Sequence, residues 1–369
     1  NTDADTTRGG MTLNGGGSAN AYSQVGHGGQ GVGGNKSDDI TIAADFVDMN
    51  AGGGATAYSQ IGHGGSGSLG TLAGAISVTA ENNVTVDGGT AATAFAMVGH
   101  GGTPAPTTAI TDNITILSNN GDISLQGGSN ADTQAKIGHR SNGAHSGTIN
   151  VTATNGAVNL TGGTHASGGG AEIGMRSESA TDTATTNVTG GTGVTVQGGT
   201  QGYAQIGSES NSSGAVNVTT TGANADITVQ AGATGYALIG GGVQSGNRTM
   251  TGNVTLNSAR DVNLQGGTGN NGWAQVGNGA LAGTGTYSGD VSVTAARNVT
   301  VSGGTGNDDA YALLGNGGAQ AGSTTSGNVT VNALAGQVQL NGGANAGLAT
   351  PGAADTPNFA QIGLGGHNN

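Results

Sequence analysis

The sequence predicts an all-β fold, a parallel β-solenoid (β-helix) of about ten coils of ~37 residues with three short strands per coil. Three observations carry this: a nine-residue stretch that keeps returning, alternating β-branched segments that return with it, and 79 glycines among 369 residues. Glycine would cost about 1 kcal/mol at every helical position, the i, i+3, i+4 pattern of a helix is missing, and Val, Ile and Thr favour strands.

The returning stretch is AYSQVGHGG at 21–29, AYSQIGHGG at 57–65 and AFAMVGHGG at 94–102. Its central glycine can be followed as Gly26, Gly62, Gly99, Gly138, Gly174, Gly207, Gly240, Gly277, Gly315 and Gly363, at intervals of 36, 37, 39, 36, 33, 33, 37, 38 and 48. The last interval is long because NAGLATPGAADTP (345–357) reads as an inserted loop. The whole chain, 1–369, is then one array: a partial first coil at 1–32 and repeats at about 33–68, 69–106, 107–143, 144–180, 181–211, 212–246, 247–283, 284–321 and 322–369.

The first strand of each repeat reads ITIAA (40–44), ISVTA (76–80), INVTA (149–153), VTLNS (254–258), VSVTA (291–295) or VTVNA (329–333). Alternation places pairs such as Ile76 and Val78 on a buried face. The second reads VTVDGG (84–89), ISLQGG (123–128), VTVQGG (194–199), VNLQGG (262–267) or VQLNGG (338–343), with Val84 and Val86 inward and a Gly-Gly corner after them. The third is the opening stretch: Ala57, Ser59 and Ile61 share the inward face, and Tyr58, Gln60 and Gly62 the outward one. A single repeat buries too few aliphatic side chains to offset the entropy of ordering it. Stacked at about 4.8 Å, each strand completes the hydrogen bonding of the next.

Composition bounds the function. Hydrophobic residues are 33%, aromatic 3% and charged 8% of the chain, which could pass for low complexity were the Val and Ile not so regularly spaced. There is no cysteine for disulfides or thiolate metal sites. A net charge of −13 with only 8 Lys and Arg disfavours nucleic acid. No apolar run reaches the 18 or more residues of a membrane span. The chain opens at Asn1, partway through a repeat, and is expected to be a piece of something longer.

Several columns could carry chemistry. His27, His63, His100 and His139 follow the marked glycine and would stack, as a Zn²⁺ or Ni²⁺ site, a pH-sensitive seam, or a turn-stabilising ladder. The column continues as Met175, Ser208, Gly241, Asn278, Asn316 and Leu364, which favours the ladder. Tyr22, Tyr58, Phe95, Tyr203, Tyr236, Trp273, Tyr311 and Phe359 form a second column, interrupted at Gln134 and Gly170. It reads either as a stacking ladder beneath the glycine-rich segments or as a platform for sugar rings or another molecule. Thr41, Ser77, Thr115, Asn150, Asn217, Thr255, Ser292 and Thr330, with Thr79, Thr152, Thr219 and Thr294, resemble an ice-binding array that Ala43 and Leu117 spoil. GGTGNDDAY (303–311) fits a calcium nonapeptide but lacks the tandem copies that a calcium roll needs, so no cofactor is expected, with loose Ca²⁺ binding at Asp308 and Asp309 as the alternative. Acids are too scattered for a lyase or glycosidase, so no enzyme is expected. Arg140 and Arg176, near Glu172 and Glu178, make the one charged constellation and read as a surface ion pair.

ISVTAENNVTVDGG, VNLQGG and AYSQIGHGG resemble the repeat region of filamentous-haemagglutinin-like adhesins, exoproteins that Gram-negative bacteria export by two-partner secretion. The resemblance covers nearly the whole chain. It implies a right-handed β-helical stalk, secreted or at the cell surface, that promotes attachment, aggregation or biofilm cohesion. The partner would be a polysaccharide or a cell-surface receptor. The other expectation is a self-assembling subunit of an extracellular fibre, whose partners are further copies of itself.

Overall fold

The computed structural model describes residues 8–103, 106–177, 180–282, 284–306, 308–319, 322–344 and 358–366. Three long parallel sheets wrap one core. Sheet 1 holds nine strands from Ile40–Ala44 to Val329–Ala333, and sheets 2 and 3 hold ten each, from Met11–Asn14 to Val338–Asn341 and from Ser23–Val25 to Ala360–Ile362. No helix occurs among the described residues.

Register follows the repeat. Val84 pairs Ile123, which pairs Val158, and Ile61 pairs Val98, which pairs Ile137, so each inward residue meets its own counterpart one coil on. The coil at 181–211 supplies its sheet 1 strand as Thr185–Gly190, with Asn187 between Asn150 and Asn217. That triplet bonds side chain to side chain, each amide donating to the previous carbonyl at 2.9 Å. The interior is a continuous stack of Val, Ile, Leu and Ala. Val338 and Leu340 are 43% and 47% exposed, since among the described residues no strand of sheet 2 lies beyond theirs.

The chain between the marked glycine and the next sheet 1 strand does not form a tight corner. It doubles back as a second layer over the outward face of sheet 3. Bridges Gly28 to Gly64, Gly64 to Gly101, Gly101 to Arg140 and Gly279 to Gly317 give this cover a ladder of its own. Short strands extend it, such as Gly242–Ser245 on Gly279–Ala282 and the five-stranded set from Thr181–Asp182 to Thr324–Thr325. Glycine is required at the fold-back. Gly138 has φ +150°, and a Cβ there would sit 1.8 Å from the carbonyl oxygen of Gly174.

Candidate functional site

The outward face of sheet 3 is therefore buried, and of the two readings of the aromatic column the geometry is that of a stacking ladder beneath the glycine-rich segments. Tyr58, Trp273 and Tyr311 are fully covered, and Phe95, Tyr203 and Tyr236 nearly so, while Tyr22 in the first coil is 41% exposed. Leu281 and Ala319 of the cover pack on Tyr203, Tyr236, Trp273 and Tyr311, with Phe359 at the edge of the same cluster. The rings stack nearly parallel, Tyr22 on Tyr58 at 4.7 Å, Tyr58 on Phe95 at 4.9 Å and Tyr236 on Trp273 at 4.5 Å. Tyr203 stacks on Tyr236 at 5.1 Å, Trp273 on Tyr311 at 5.8 Å and Tyr311 on Phe359 at 4.8 Å. Faces so spaced leave no slot for a sugar ring. The interruption has a cause: Tyr203 leans across Gly170, where a Cβ would fall 2.2 Å from its Cζ, and its hydroxyl accepts a 2.7 Å bond from Gln134 Nε2.

The histidine column is a hydrogen-bonded ladder. The imidazoles of His27, His63, His100 and His139 stack at 4.8 to 5.0 Å. The backbone N–H of His27 donates to His63 Nδ1 at 2.9 Å, that of His63 to His100 Nδ1 at 2.8 Å, and that of His100 to His139 Nδ1 at 2.9 Å. Nδ1 thus accepts, so Nε2 carries the proton and donates to the cover: His63 to the Asp38 carbonyl at 2.7 Å, His100 to that of Gly74 at 2.7 Å, His139 to that of Asp112 at 3.2 Å. With both nitrogens engaged, the inner rings offer a metal no lone pair. Farther along, Asn278 and Asn316 make the same pair of contacts. Asn278 Oδ1 accepts from Gly241 N at 2.9 Å, and its amide donates to the Gly252 carbonyl at 2.7 Å. Asn316 Oδ1 accepts from Asn278 N at 2.9 Å, and its amide donates to the Gly289 carbonyl at 2.7 Å.

Asp309 lies buried at a φ of +50°, two residues before the aromatic column. Asn20, Thr56, Thr93 and Asn271 hold the same left-handed turn position in their coils. The aspartate is thus part of a turn, with Asp308 half-buried beside it. Among the described residues no group of three or more His, Cys, Asp or Glu is placed to hold a metal.

The charged constellation is larger and deeper than the sequence suggests. Lys136 and Glu172 stand in a column of sheet 3 that holds glutamine in five coils, as at Gln60 and Gln205, and Met97, Leu238 and Leu313 in three others. Gln60 Nε2 donates to the carbonyls of Gly99 at 2.8 Å and Gly101 at 3.0 Å. Lys136 Nζ does likewise to Gly174 O at 2.6 Å and lies 2.6 Å from Glu172 Oε1, both side chains fully buried. Burial raises the Glu172 carboxyl to about 7, with Lys136 opposing the rise, and burial lowers the Lys136 ammonium. Glu172, which the sequence sets beside Arg140 and Arg176 in a surface patch, is instead buried and paired with Lys136. Exchanging both for glutamine should restore the column's usual chemistry and leave stability unchanged or about 1–2 kcal/mol higher in urea unfolding. Glu172→Gln alone, stranding the ammonium, should be less stable than the double variant; the reverse order would refute this account.

One coil beyond this pair the cover thins. Fourteen positions separate Gly62 from Ile76 and Gly240 from Val254, but only nine separate Gly207 from Val216. The short segment keeps its place in the five-stranded set through Asn211–Ser212 but supplies no strand between Arg176–Ser177 and Gly242–Ser245, and a cleft of about 450 Å³, lined by Asp132 and Val243–Ser245 among others, opens there. Edges of Tyr203 and Tyr236 form its floor. In its lining Arg176 Nη1 meets Glu209 Oε2 at 3.0 Å, and Asp132 Oδ1 lies 3.5 Å from Nη2 of Arg140 behind it. Arg140 also donates to Thr103 Oγ1 and is itself buried. Glu178 lies outside the described residues.

Beside the cleft, Ser141, His145 and Asp182 make a linear relay that sequence reasoning missed. His145 Nδ1 is 2.7 Å from Asp182 Oδ1 and its Nε2 is 2.9 Å from Ser141 Oγ. The separation of 145 and 182 is one repeat, which was the available signal. The geometry resembles a hydrolytic triad, yet all three are at most 1% exposed. Ser141 Oγ also contacts the Thr108 carbonyl at 2.6 Å, which can only accept, and Ser208 Oγ donates to Asp182 Oδ2 at 3.0 Å. The relay ties three successive coils together under the thinned cover.

No protein-family model, curated protein or solved structure matches this chain.

Proposed function

We propose that this chain is a non-enzymatic, extracellular or cell-surface rod, an adhesin stalk or biofilm matrix component of a Gram-negative bacterium. The observation that carries the reading is the unslipped register of three parallel ladders, from Met11 pairing Val47 to Leu314 pairing Ile362. Such a stack is stiff along its axis and shows a column of Thr, Ser and Asn at every step of sheet 1, from Thr41 to Thr330. Many weak contacts by one rod then act together by avidity. The resemblance of the repeats to filamentous-haemagglutinin-like exoproteins supports the same reading, and the partner is a polysaccharide or a cell-surface receptor.

The second reading is a self-assembling fibre subunit, in which parallel ladders, open to extension by any coil of matching register, continue from one copy to the next. Negative-stain electron microscopy of the purified protein separates the two. Discrete rods on the order of 50 Å per ten coils, which promote attachment of bacteria to a coated surface, are expected for a stalk. Unlimited fibres would replace it with a fibre subunit, and rods without any attachment would remove the adhesive role.

A further inference from the structure

We propose that the cleft over Tyr203 and Tyr236 binds an uncharged glycan unit, a hexose-sized ring bearing free hydroxyls. This rests on the reading of the chain as an adhesive rod and gives that rod one defined site. The aromatic column cannot serve as a platform along its length, because each inner ring face is taken by the next ring and the cover hides the edges. Where the cover thins, among the described residues, the edges of Tyr203 and Tyr236 meet an open volume of about 450 Å³, in the range of small-ligand sites.

The wall chemistry selects the ligand. Asp132 and Glu209 present carboxylate oxygens, which repel an anion such as a uronate or a phosphate. Arg176 presents a guanidinium, which repels an organic cation. Both carboxylates already face a guanidinium, Glu209 at 3.0 Å and Asp132 at 3.5 Å, so a divalent cation would have to break these pairs. A hydroxyl both donates and accepts. A ring carrying several can give a hydrogen bond to Asp132 or Glu209 and take one from Arg176 or from the Gln244 amide. Its C–H face meets Val243 and the tyrosine edges, the apolar half of the lining.

The site is also built to hold still. Tyr203 is fixed by Gln134 at 2.7 Å and by stacking on Tyr236 at 5.1 Å. Gln244 stands on the strand Gly242–Ser245, which is paired to Gly279–Ala282. Preorganised walls of this kind keep the ordering cost of binding low.

Trp273, the one tryptophan of the chain, stacks on Tyr236 at 4.5 Å and reports on the floor of the cleft. The experiment titrates the full chain with neutral hexaoses of glucose, galactose and N-acetylglucosamine, with hexagalacturonate, and with a pool of extended peptides, by tryptophan fluorescence and calorimetry. At least one neutral hexaose is expected to bind. Arg176→Ala should weaken it by at least about tenfold, and Gln244→Ala, which breaks no ion pair and keeps the fold intact, by at least about threefold. No binding of a neutral hexaose up to about 10 mM overturns the proposal. So does unchanged affinity in Gln244→Ala, or tighter binding of hexagalacturonate or of peptide. Attachment of bacteria that persists while the cleft binds nothing defeats this site and leaves the adhesive rod standing.

Discussion

Replacing Gly138 with alanine is expected to cost more than about 4 kcal/mol, enough to unfold the coils around it. The added Cβ would lie 1.8 Å from Gly174 O, a backbone atom with no freedom to retreat. Gly138 N is bonded to Val98 O at 2.9 Å and Gly174 N to Ile137 O at 3.0 Å, so the two peptides are held in register from both sides. The backbone at Gly138, φ +150°, is a second penalty for an L side chain. The two contributions separate experimentally. Gly31 has φ +66° but nothing within 4 Å of its virtual Cβ, so Gly31→Ala should show the conformational penalty alone, about 1–2 kcal/mol. Urea unfolding of both variants is the measurement. A Gly138→Ala protein no less stable than Gly31→Ala would mean that coil spacing is not fixed by these contacts.

The same contact explains which parts of the molecule could be read from the sequence. A parallel stack forces each position to face its own copy, so the period, the three strand types and the inward pairs such as Ile76 and Val78 are written in the letters. The cover is not, because alternation tells which side of a strand points away from the core and is silent on what lies over that side. One column did hold the signal. Met97, Leu238 and Leu313 share the outward position of Gln60, and a solvated face has little use for them. The 33-residue interval from Gly207 to Gly240 likewise holds the short cover segment, hence the place where the cleft opens. Lys136 and Glu172 were visible as charges but not as a buried pair, since burial there is imposed by the second layer.

Acidification is expected to destabilise the protein between about pH 6.5 and pH 4, before most carboxylates titrate. The histidine ladder is the reason. Each inner Nδ1 accepts a backbone N–H from the neighbouring coil, so a proton placed there would confront a donor and break a ladder bond. Burial lowers His100 to about 4 and pushes His63 and His139 down as well; the carbonyl bonds from Gly74, Asp38 and Asp112 oppose this without reversing it. A histidine with a depressed folded pKa contributes stability that is present above its unfolded value near 6.5. That stability is lost as pH falls toward the folded value. For His100 alone the loss is on the order of 3 kcal/mol.

Glu172 works in the opposite direction. Its folded value is raised to about 7, so its burden is greatest at high pH and relieved on acidification, offsetting about one imidazole. Asp261, held down to about 2 chiefly by its hydrogen bond to Arg297, loses its contribution only below about pH 4 and so falls outside the window. His63 and His139 then decide the sign, a net loss. The column supplies its own control, since Asn278 and Asn316 reproduce both contacts with a group that does not titrate. His63→Asn, His100→Asn and His139→Asn combined should keep the fold at pH 7 and flatten the stability profile from pH 6.5 to 4. Unfolding free energies that fall as steeply in the triple variant as in the parent would place the acid sensitivity elsewhere.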